Sequence, residues 1–174
     1  MKIVNGVMKN LFFLAIPFIL LSGSLSPDLN TISKFEDRQI FENYIGYIEQ
    51  WKSESKEVIL EKTALYFLES PYVEHSLDNI DTEVLTINLR EFDCFTYVET
   101  VIALTLTTIA DEPTYETFIR ILHSIRYRDN KIEGFHSRLH YTSDWIYENE
   151  KNRILKNVSE EIGGIKNKKV IKKQ

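Results

Sequence analysis

The apolar residues of this chain recur at helical spacing in four successive segments, and no other feature constrains its fold as strongly. In residues 37–53 they lie three or four positions apart, which is typical of one face of a helix. Residues 57–69 repeat the pattern, and Pro71 closes that segment because the residue before a proline avoids helical geometry. Residues 94–110 and 114–127 repeat it again. The pattern predicts a packed helical body.

Extended segments are predicted mostly towards the end of the chain. Residues 82–89 alternate in polarity and are rich in β formers, so a short extended run precedes the helix that starts at Cys94. Residues 137–145 and 154–158 are also predicted to be extended, and residues 131–135 form a short segment that is interrupted by glycine. We therefore expect helices first and strands late.

The first residues have the order of a secretory signal peptide. Lys2 and Lys9 precede an apolar run from Leu11 to Leu21, and the small residues 22–24 follow it. The apolar run is about half of the roughly 20 residues that a membrane span needs, so a stable membrane anchor is not expected. We predict a signal peptide at 1–24, a single domain at 25–174, and secretion, with the periplasm as destination.

Composition excludes several classes of protein. A formal net charge of -5 and a pI near 5.5 provide no basic field for nucleic acid. One cysteine rules out an internal disulfide framework and any zinc or iron–sulfur site built from several cysteines. The oligomeric state is left open.

Cys94 lies where the extended run 82–89 turns into the apolar helix 94–110. A thiol in the first turn of a helix is near exposed backbone amides, whose partial positive charge favours the thiolate. The same amides can hold the oxyanion of an acyl intermediate. Cys94 is therefore a candidate nucleophile, although a buried structural role is commoner for a free cysteine.

His140 is a candidate general base for that thiol. In an extended segment 137–145, His140 would share one face with Arg138, while Leu139 and Tyr141 would anchor the other face. A cysteine and a histidine distant in sequence can meet in a fold, as cysteine-dependent acyl transfer requires. Three other histidines remain open as alternatives: His75, His123 and His136.

Metal or cofactor chemistry is not favoured by the residue pattern. His136 and His140 are four residues apart, but no third ligand follows at an informative spacing. The chain also has no glycine-rich phosphate loop. We expect neither a metal ion nor a cofactor.

Four blocks of sequence, in this order, resemble the bacterial N-acetylmuramoyl-L-alanine amidase-like family. They are Ser-Pro-Tyr-Val at 70–73, Leu-Arg-Glu-Phe-Asp-Cys-Phe-Thr-Tyr-Val-Glu-Thr at 89–100, Ile-Arg-Tyr-Arg at 125–128, and Ser-Arg-Leu-His-Tyr-Thr-Ser-Asp-Trp at 137–145. The family is similar to the NlpC-type cysteine peptidases. That resemblance implies an α+β fold with a papain-like core, in which helices are followed by a small antiparallel sheet.

The resemblance also implies roles for individual residues. Cys94 corresponds to the nucleophile and His140 to the general base. Tyr72 and Asp93 match positions that hold the substrate's amine or assist the oxyanion. The implied reaction is hydrolysis of an amide in peptidoglycan or muropeptides, between N-acetylmuramic acid and L-alanine, without zinc. Weaker candidates for lining the cleft are Arg138, Asp144 and Trp145.

The chain departs from the family pattern in two places. Glu69 and Ser70 stand where the family usually has glycine, and the family continues into further strands beyond Gln174. We therefore expect a C-terminally truncated domain whose sheet is incomplete and whose third catalytic residue is missing, with Asn149 and Asn152 as substitutes. The alternatives are a catalytically inactive cell-wall or muropeptide-binding module, and a helical interaction protein with an incidental cysteine.

Overall fold

The computed structural model describes residues 30–77, 82–158 and 161–163, so the predicted signal peptide lies outside the described residues. Within these ranges no helix is long and apolar enough to cross a bilayer. The described part contains two short strands and five α-helices: β1 Thr31–Ile32, α1 Phe35–Ile48, α2 Lys56–Tyr66, β2 Leu85–Thr86, α3 Cys94–Thr108, α4 Tyr115–Arg126 and α5 Thr142–Lys151.

The four helices predicted from apolar spacing are confirmed. α3 begins at Cys94, as predicted, and α4 begins directly after Thr114, whose hydroxyl accepts a hydrogen bond from the amide of Thr117. α1 is shorter than predicted because a 3₁₀ turn, Glu49–Trp51, follows it. α2 ends at Tyr66, and tight turns then lead to the Pro71 block.

α3 lies between α2 and α4 and supplies much of the core. Its buried threonines Thr105, Thr107 and Thr108 each donate a hydroxyl hydrogen bond of 2.7–2.9 Å to a carbonyl one turn earlier. Their polar groups are thereby satisfied inside the helix, which explains how a threonine-rich segment remains helical in an apolar setting.

A buried carboxylate fixes the segment that leads to Cys94. Asp37, near the start of α1, accepts hydrogen bonds from the amide of Leu89 at 2.8 Å and from Nε of Arg90 at 3.0 Å. The other oxygen of Asp37 accepts the amide of Lys34. The first helix and the nucleophile-bearing segment are therefore held together by one side chain with no exposed surface.

The expectation that strands begin only late in the chain is wrong. β1 precedes α1 and pairs in parallel with β2, with Thr31 opposite Leu85 and Ile32 opposite Thr86. An antiparallel contact within the described residues is an isolated bridge between Tyr127 and Arg138. The class is α+β, as expected, whereas the papain-like core and the antiparallel sheet remain predictions.

Residues 137–145 do not form the predicted strand. Phe135–Ser137 is a 3₁₀ turn closed by the hydroxyl of Ser137, which donates to the carbonyl of Gly134. Asp144 lies in the first turn of α5, where free amides favour a negative charge. Leu139 is buried as predicted, whereas the side chain of Tyr141 is exposed and does not pack into the core. Residues 154–158 do not form a strand either.

Candidate active site

Asp93 positions Cys94 by capping α3. Its Oδ1 accepts the amides of Phe95 at 2.9 Å and Thr96 at 2.7 Å, and Oγ1 of Thr96 accepts the amide of Asp93 at 3.0 Å. This reciprocal capping box fixes the first turn of the helix. Oδ2 of Asp93 accepts the hydroxyl of Ser76 at 3.3 Å. Asp93 is predicted to contact the substrate, and in the structure its carboxylate stabilises the start of α3.

Cys94 is the first residue of α3, and its side chain is exposed. The structural alternative, a cysteine sealed in the core, is therefore wrong. An accessible thiol beside backbone amides at a helix start is the arrangement that makes cysteines nucleophilic in proteins.

A cavity of about 420 Å³ lies over the start of α3. It brings together five residues predicted from the sequence, and they come from separate parts of the chain: Tyr72, Asp93, Cys94, Arg138 and His140. His75, an alternative base, also lines the cavity, together with residues to which the sequence reasoning gave no role in the site, among them Glu74, Glu99 and Arg126.

His140 is held by the residue that opens the preceding 3₁₀ turn. Its Nε2 lies 2.7 Å from the carbonyl oxygen of Phe135, and the two rings stack with centroids 3.8 Å apart. A carbonyl oxygen only accepts, so Nε2 carries the proton, and Nδ1 is the basic nitrogen of the neutral ring. The guanidinium of Arg138 lies 5.3 Å from the Phe135 ring centroid. His140 thus has a defined tautomer and orientation.

Tyr72 reaches the cavity through a backbone bridge to Phe92. The amide of Val73 donates to the carbonyl of Phe92 at 2.9 Å, and the amide of Phe92 donates to the carbonyl of Pro71 at 3.0 Å. Desolvation raises the pKa of the Tyr72 phenol, and the negative charge of Glu74 adds to the rise. The phenol therefore stays protonated and can donate a hydrogen bond.

Arg138 is held by an acidic partner at the edge of the cavity. Its Nε lies 3.3 Å from Oε1 of Glu83, and the same oxygen accepts the hydroxyl of Tyr127 at 2.7 Å. Burial raises the pKa of the Tyr127 phenol, and Glu83 raises it further. Arg138 is largely buried, and Glu83 compensates its charge, so it is not a mobile surface cation.

A buried ion pair, Glu99 with Arg126, lines the same cavity and was missed from the sequence. Nε of Arg126 donates to Oε2 of Glu99 at 2.7 Å, and Nη1 donates to the carbonyl of Thr86 at 2.6 Å. Burial raises the pKa of the Glu99 carboxyl, and the guanidinium of Arg126 opposes the rise. The available signal was that Glu99 is the one charged residue within Cys94–Thr108.

Asp144 and Trp145 support the site from outside the cavity lining. Asp144 forms an ion pair with Arg128, which also binds Glu148 at 2.9 Å. Trp145 is buried and packs edge-on against Phe95, with ring centroids 5.7 Å apart. Both residues anchor α5 directly after His140.

Neither asparagine proposed as a substitute for the third catalytic residue has a hydrogen bond to His140 among the described residues. Asn149 is fully buried, and its Nδ2 donates to the carbonyls of Ile125 and Trp145. Asn152 ends α5. The group that holds Nε2 of His140 is instead the carbonyl of Phe135.

The other histidines differ in position. His123 is buried on α4 against Tyr127, and His136 is exposed in the 3₁₀ turn. His75 lines the cavity with a left-handed backbone, φ 57°.

In the described part of the chain no three His, Cys, Asp or Glu side chains are grouped to hold a metal ion.

An exposed thiol and an imidazole lining one cavity form the kind of site that cysteine-dependent acyl-transfer enzymes use. The family model described as N-acetylmuramoyl-L-alanine amidase-like (AmiA-like) matches residues 62–174, and the chain belongs to this family. The comparison with curated proteins gave no match.

Three of the solved structures similar to this chain are bacterial proteins. An N-acetylmuramoyl-L-alanine amidase of Bacteroides uniformis is 42% identical over 56% of this chain and 40% of its own, with a TM-score of 0.51. A Bacteroides fragilis protein provisionally named a xylanase is 40% identical over 57% and 43%, with a TM-score of 0.54. A Legionella pneumophila protein is 26% identical over 67% and 36%, with a TM-score of 0.51. The chain spans about two fifths of the length of these proteins.

Proposed function

We propose that this protein is a cysteine amidase that hydrolyses the bond between N-acetylmuramic acid and L-alanine in peptidoglycan or muropeptides. The observation that carries the proposal is the exposed thiol of Cys94, first residue of α3, in the cavity that His140 also lines. Membership of the amidase-like family supports the substrate class. No cofactor is part of the proposal.

The reaction follows from a thiol and an imidazole. Nδ1 of His140 takes the proton of Cys94, and the sulfur attacks the muramoyl carbonyl. The tetrahedral intermediate collapses as the imidazolium gives its proton to the nitrogen of L-alanine, which leaves as a free amine. Water, deprotonated by His140, then hydrolyses the thioester to the muramoyl carboxylic acid and regenerates the Cys94 thiol.

The capping of α3 limits which donors can stabilise the oxyanion. The amides of Phe95 and Thr96 are already bound to Oδ1 of Asp93. The amide of Cys94 lies outside that cap, and the phenol of Tyr72 is protonated and lines the cavity. These two groups are the proposed oxyanion donors.

The proposed substrate lies outside the cytoplasm, which agrees with the sequence of residues 1–24. We propose that those residues direct export to the periplasm and are then removed.

A glycosidase, the activity that one neighbour's provisional name suggests, fits the cavity less well. Such enzymes need two carboxyl groups on opposite sides of the scissile bond. Among the described residues, three carboxylates line the cavity. Asp93 caps α3 and Glu99 is paired with Arg126, which leaves Glu74 rather than a pair of carboxyl groups for such a reaction. The geometry therefore favours amide hydrolysis.

The proposal is tested by mass spectrometry of muropeptides incubated with the chain that starts at residue 25 and with its Cys94→Ala variant. We expect the first protein alone to release a lactyl-terminated glycan and a peptide with a free L-alanine amine. A thiol-directed probe should label Cys94 more slowly when muropeptide is present. Binding and protection without cleavage would support the inactive binding module instead, and cleavage by Cys94→Ala would refute the cysteine mechanism.

A further inference from the structure

Glu99 has one carboxylate oxygen in an ion pair and one without a partner. Oε2 accepts Nε of Arg126, whereas Oε1 is buried and has no hydrogen-bond partner among the described residues. The residue is only 1% exposed. A buried acceptor without a donor destabilises a fold, so its retention calls for a physical reason.

The position of Glu99 suggests that reason. Its side chain lines the cavity that contains Cys94 and His140, and Arg126 lines it too. Because Arg126 covers Oε2, Oε1 is the polar atom of this carboxylate that remains for a ligand. Glu99 follows Cys94 by five residues, which is about 7.5 Å along the helix axis. That distance is too large for contact with the bond attacked by Cys94, so the oxygen can act on binding rather than on the chemical step.

We propose that Glu99 is a specificity-determining residue, whose Oε1 accepts a hydrogen bond from a neutral N–H or O–H group of the substrate bound against Cys94. This inference rests on the proposed function and extends it to the recognition of the groups beside the scissile amide.

The guanidinium paired with Glu99 favours a neutral donor at Oε1 over an ammonium group. Arg126 already compensates Glu99, and the other carboxylates that line the cavity are Asp93, which caps α3, and Glu74. An ammonium group placed on Oε1 would meet the guanidinium of Arg126 nearby, and that repulsion would offset its attraction to the carboxylate. Beside the scissile amide, the N-acetylmuramoyl group carries an acetamido N–H and sugar hydroxyls, whereas a de-N-acetylated muramoyl group presents an ammonium.

The test compares Glu99→Gln with Glu148→Gln. Glutamine keeps an oxygen for Arg126 and replaces the open acceptor with an NH₂ donor. Glu148 is a matched control because it is a buried glutamate paired with an arginine, Arg128, and does not line the cavity. We expect KM for N-acetylmuramoyl-L-alanyl-D-isoglutamine to rise roughly tenfold to hundredfold in Glu99→Gln, the loss of a charge-assisted hydrogen bond. We expect kcat to change less than about threefold, and Glu148→Gln to retain the parent KM.

A second measurement needs no substitution at Glu99. Calorimetric titration of the Cys94→Ala protein compares N-acetylmuramoyl-L-alanyl-D-isoglutamine with its de-N-acetylated form, which differ in the charge of the sugar nitrogen beside the scissile amide. Tighter binding of the acetylated ligand, by tenfold or more, supports the inference. Equal or tighter binding of the free amine overturns it, as does an unchanged KM in a folded Glu99→Gln protein. In either case Cys94-dependent cleavage by the parent protein would leave the proposed function standing, whereas absence of cleavage would count against that function alone.

Discussion

The ring of His140 stacks on the ring of Phe135 with 3.8 Å between centroids, while its Nε2 lies 2.7 Å from the carbonyl oxygen of the same residue. One residue therefore sets both the tilt and the tautomer of the proposed base. Phe135 is 62% exposed, so packing into the core does not account for its presence. A large apolar side chain left in solvent beside a candidate base points to a role in orienting it.

Replacing Phe135 with alanine should reduce catalysis without unfolding the protein. Loss of the stacking surface frees the imidazole, and we expect kcat for muropeptide hydrolysis to fall by about tenfold, because misorientation of a catalytic group costs rate. The free energy of unfolding should change by less than about 0.5 kcal/mol, as is usual at exposed positions. Phe35→Ala, at a site 74% exposed and outside the cavity lining, is the control. Equal kcat values for the two variants would contradict the role of Phe135.

Removing the cap of α3 should affect both stability and the thiol. Asp93→Ala leaves the amides of Phe95 and Thr96 without their acceptor, and we expect a loss of about 1–2 kcal/mol in the free energy of unfolding. Urea denaturation measures this loss, and the rate of alkylation of Cys94 should change as well.

Two further variants separate capping from substrate contact. Asp93→Asn retains a capping side chain and should keep most of the stability. Thr114→Ala removes the cap of α4 and should destabilise the protein without altering the alkylation of Cys94. If Asp93→Asn is stable yet loses muropeptide binding, the carboxylate contacts substrate in addition to capping the helix.

The helices were predictable because their signals are local. The spacing of apolar residues located α3. The start of that helix at Cys94 is also marked by a local capping pair, Asp93 and Thr96. The cavity, by contrast, depends on contacts between distant residues: Glu99 and Arg126 are 27 residues apart. The sequence around Glu99 and the sequence around Arg126 contain no signal that predicts this ion pair.

The failed strand predictions have a similar cause. Residues 142–151 mix aromatic and acidic side chains without a clear period, and their helix is held by ion pairs from Arg128 and by burial of Trp145. The parallel pairing of β1 with β2 joins segments far apart in sequence, and two-residue strands carry almost no periodicity.

A hydroxyl cluster between three helices should contribute measurably to stability. The phenol of Tyr44 on α1 lies 2.8 Å from Oγ1 of Thr63 on α2 and 2.9 Å from Oγ1 of Thr108 on α3. The hydroxyls of both threonines also donate to backbone carbonyls of their own helices. Tyr44→Phe therefore removes the phenol without leaving either threonine hydroxyl without an acceptor. We expect a loss of about 1–1.5 kcal/mol by urea denaturation. Tyr141→Phe, at an exposed position, should be neutral, and a neutral Tyr44→Phe would show that the cluster adds nothing.

His123 should make the protein less stable as the pH falls. The residue is buried on α4, its ring lies 5.4 Å from that of Tyr127, and burial lowers its pKa below the ordinary value of 6.5. As the pH falls, His123 therefore becomes protonated at a higher pH in the unfolded chain than in the folded protein. The stabilisation is complete above about pH 6.5 and is lost as the pH falls through the lower pKa of the folded state.

The urea midpoint of the parent protein should accordingly fall between pH 8 and pH 5.5, and this dependence should be reduced in His123→Leu. The slope from a single proton cannot exceed about 1.4 kcal/mol per pH unit. The exposed His136 provides a control, since His136→Leu should retain the parent dependence. If the parent and His123→Leu proteins lose stability in parallel over this range, His123 is not the group whose protonation destabilises the protein. Removal of that group would make the urea midpoint less dependent on pH.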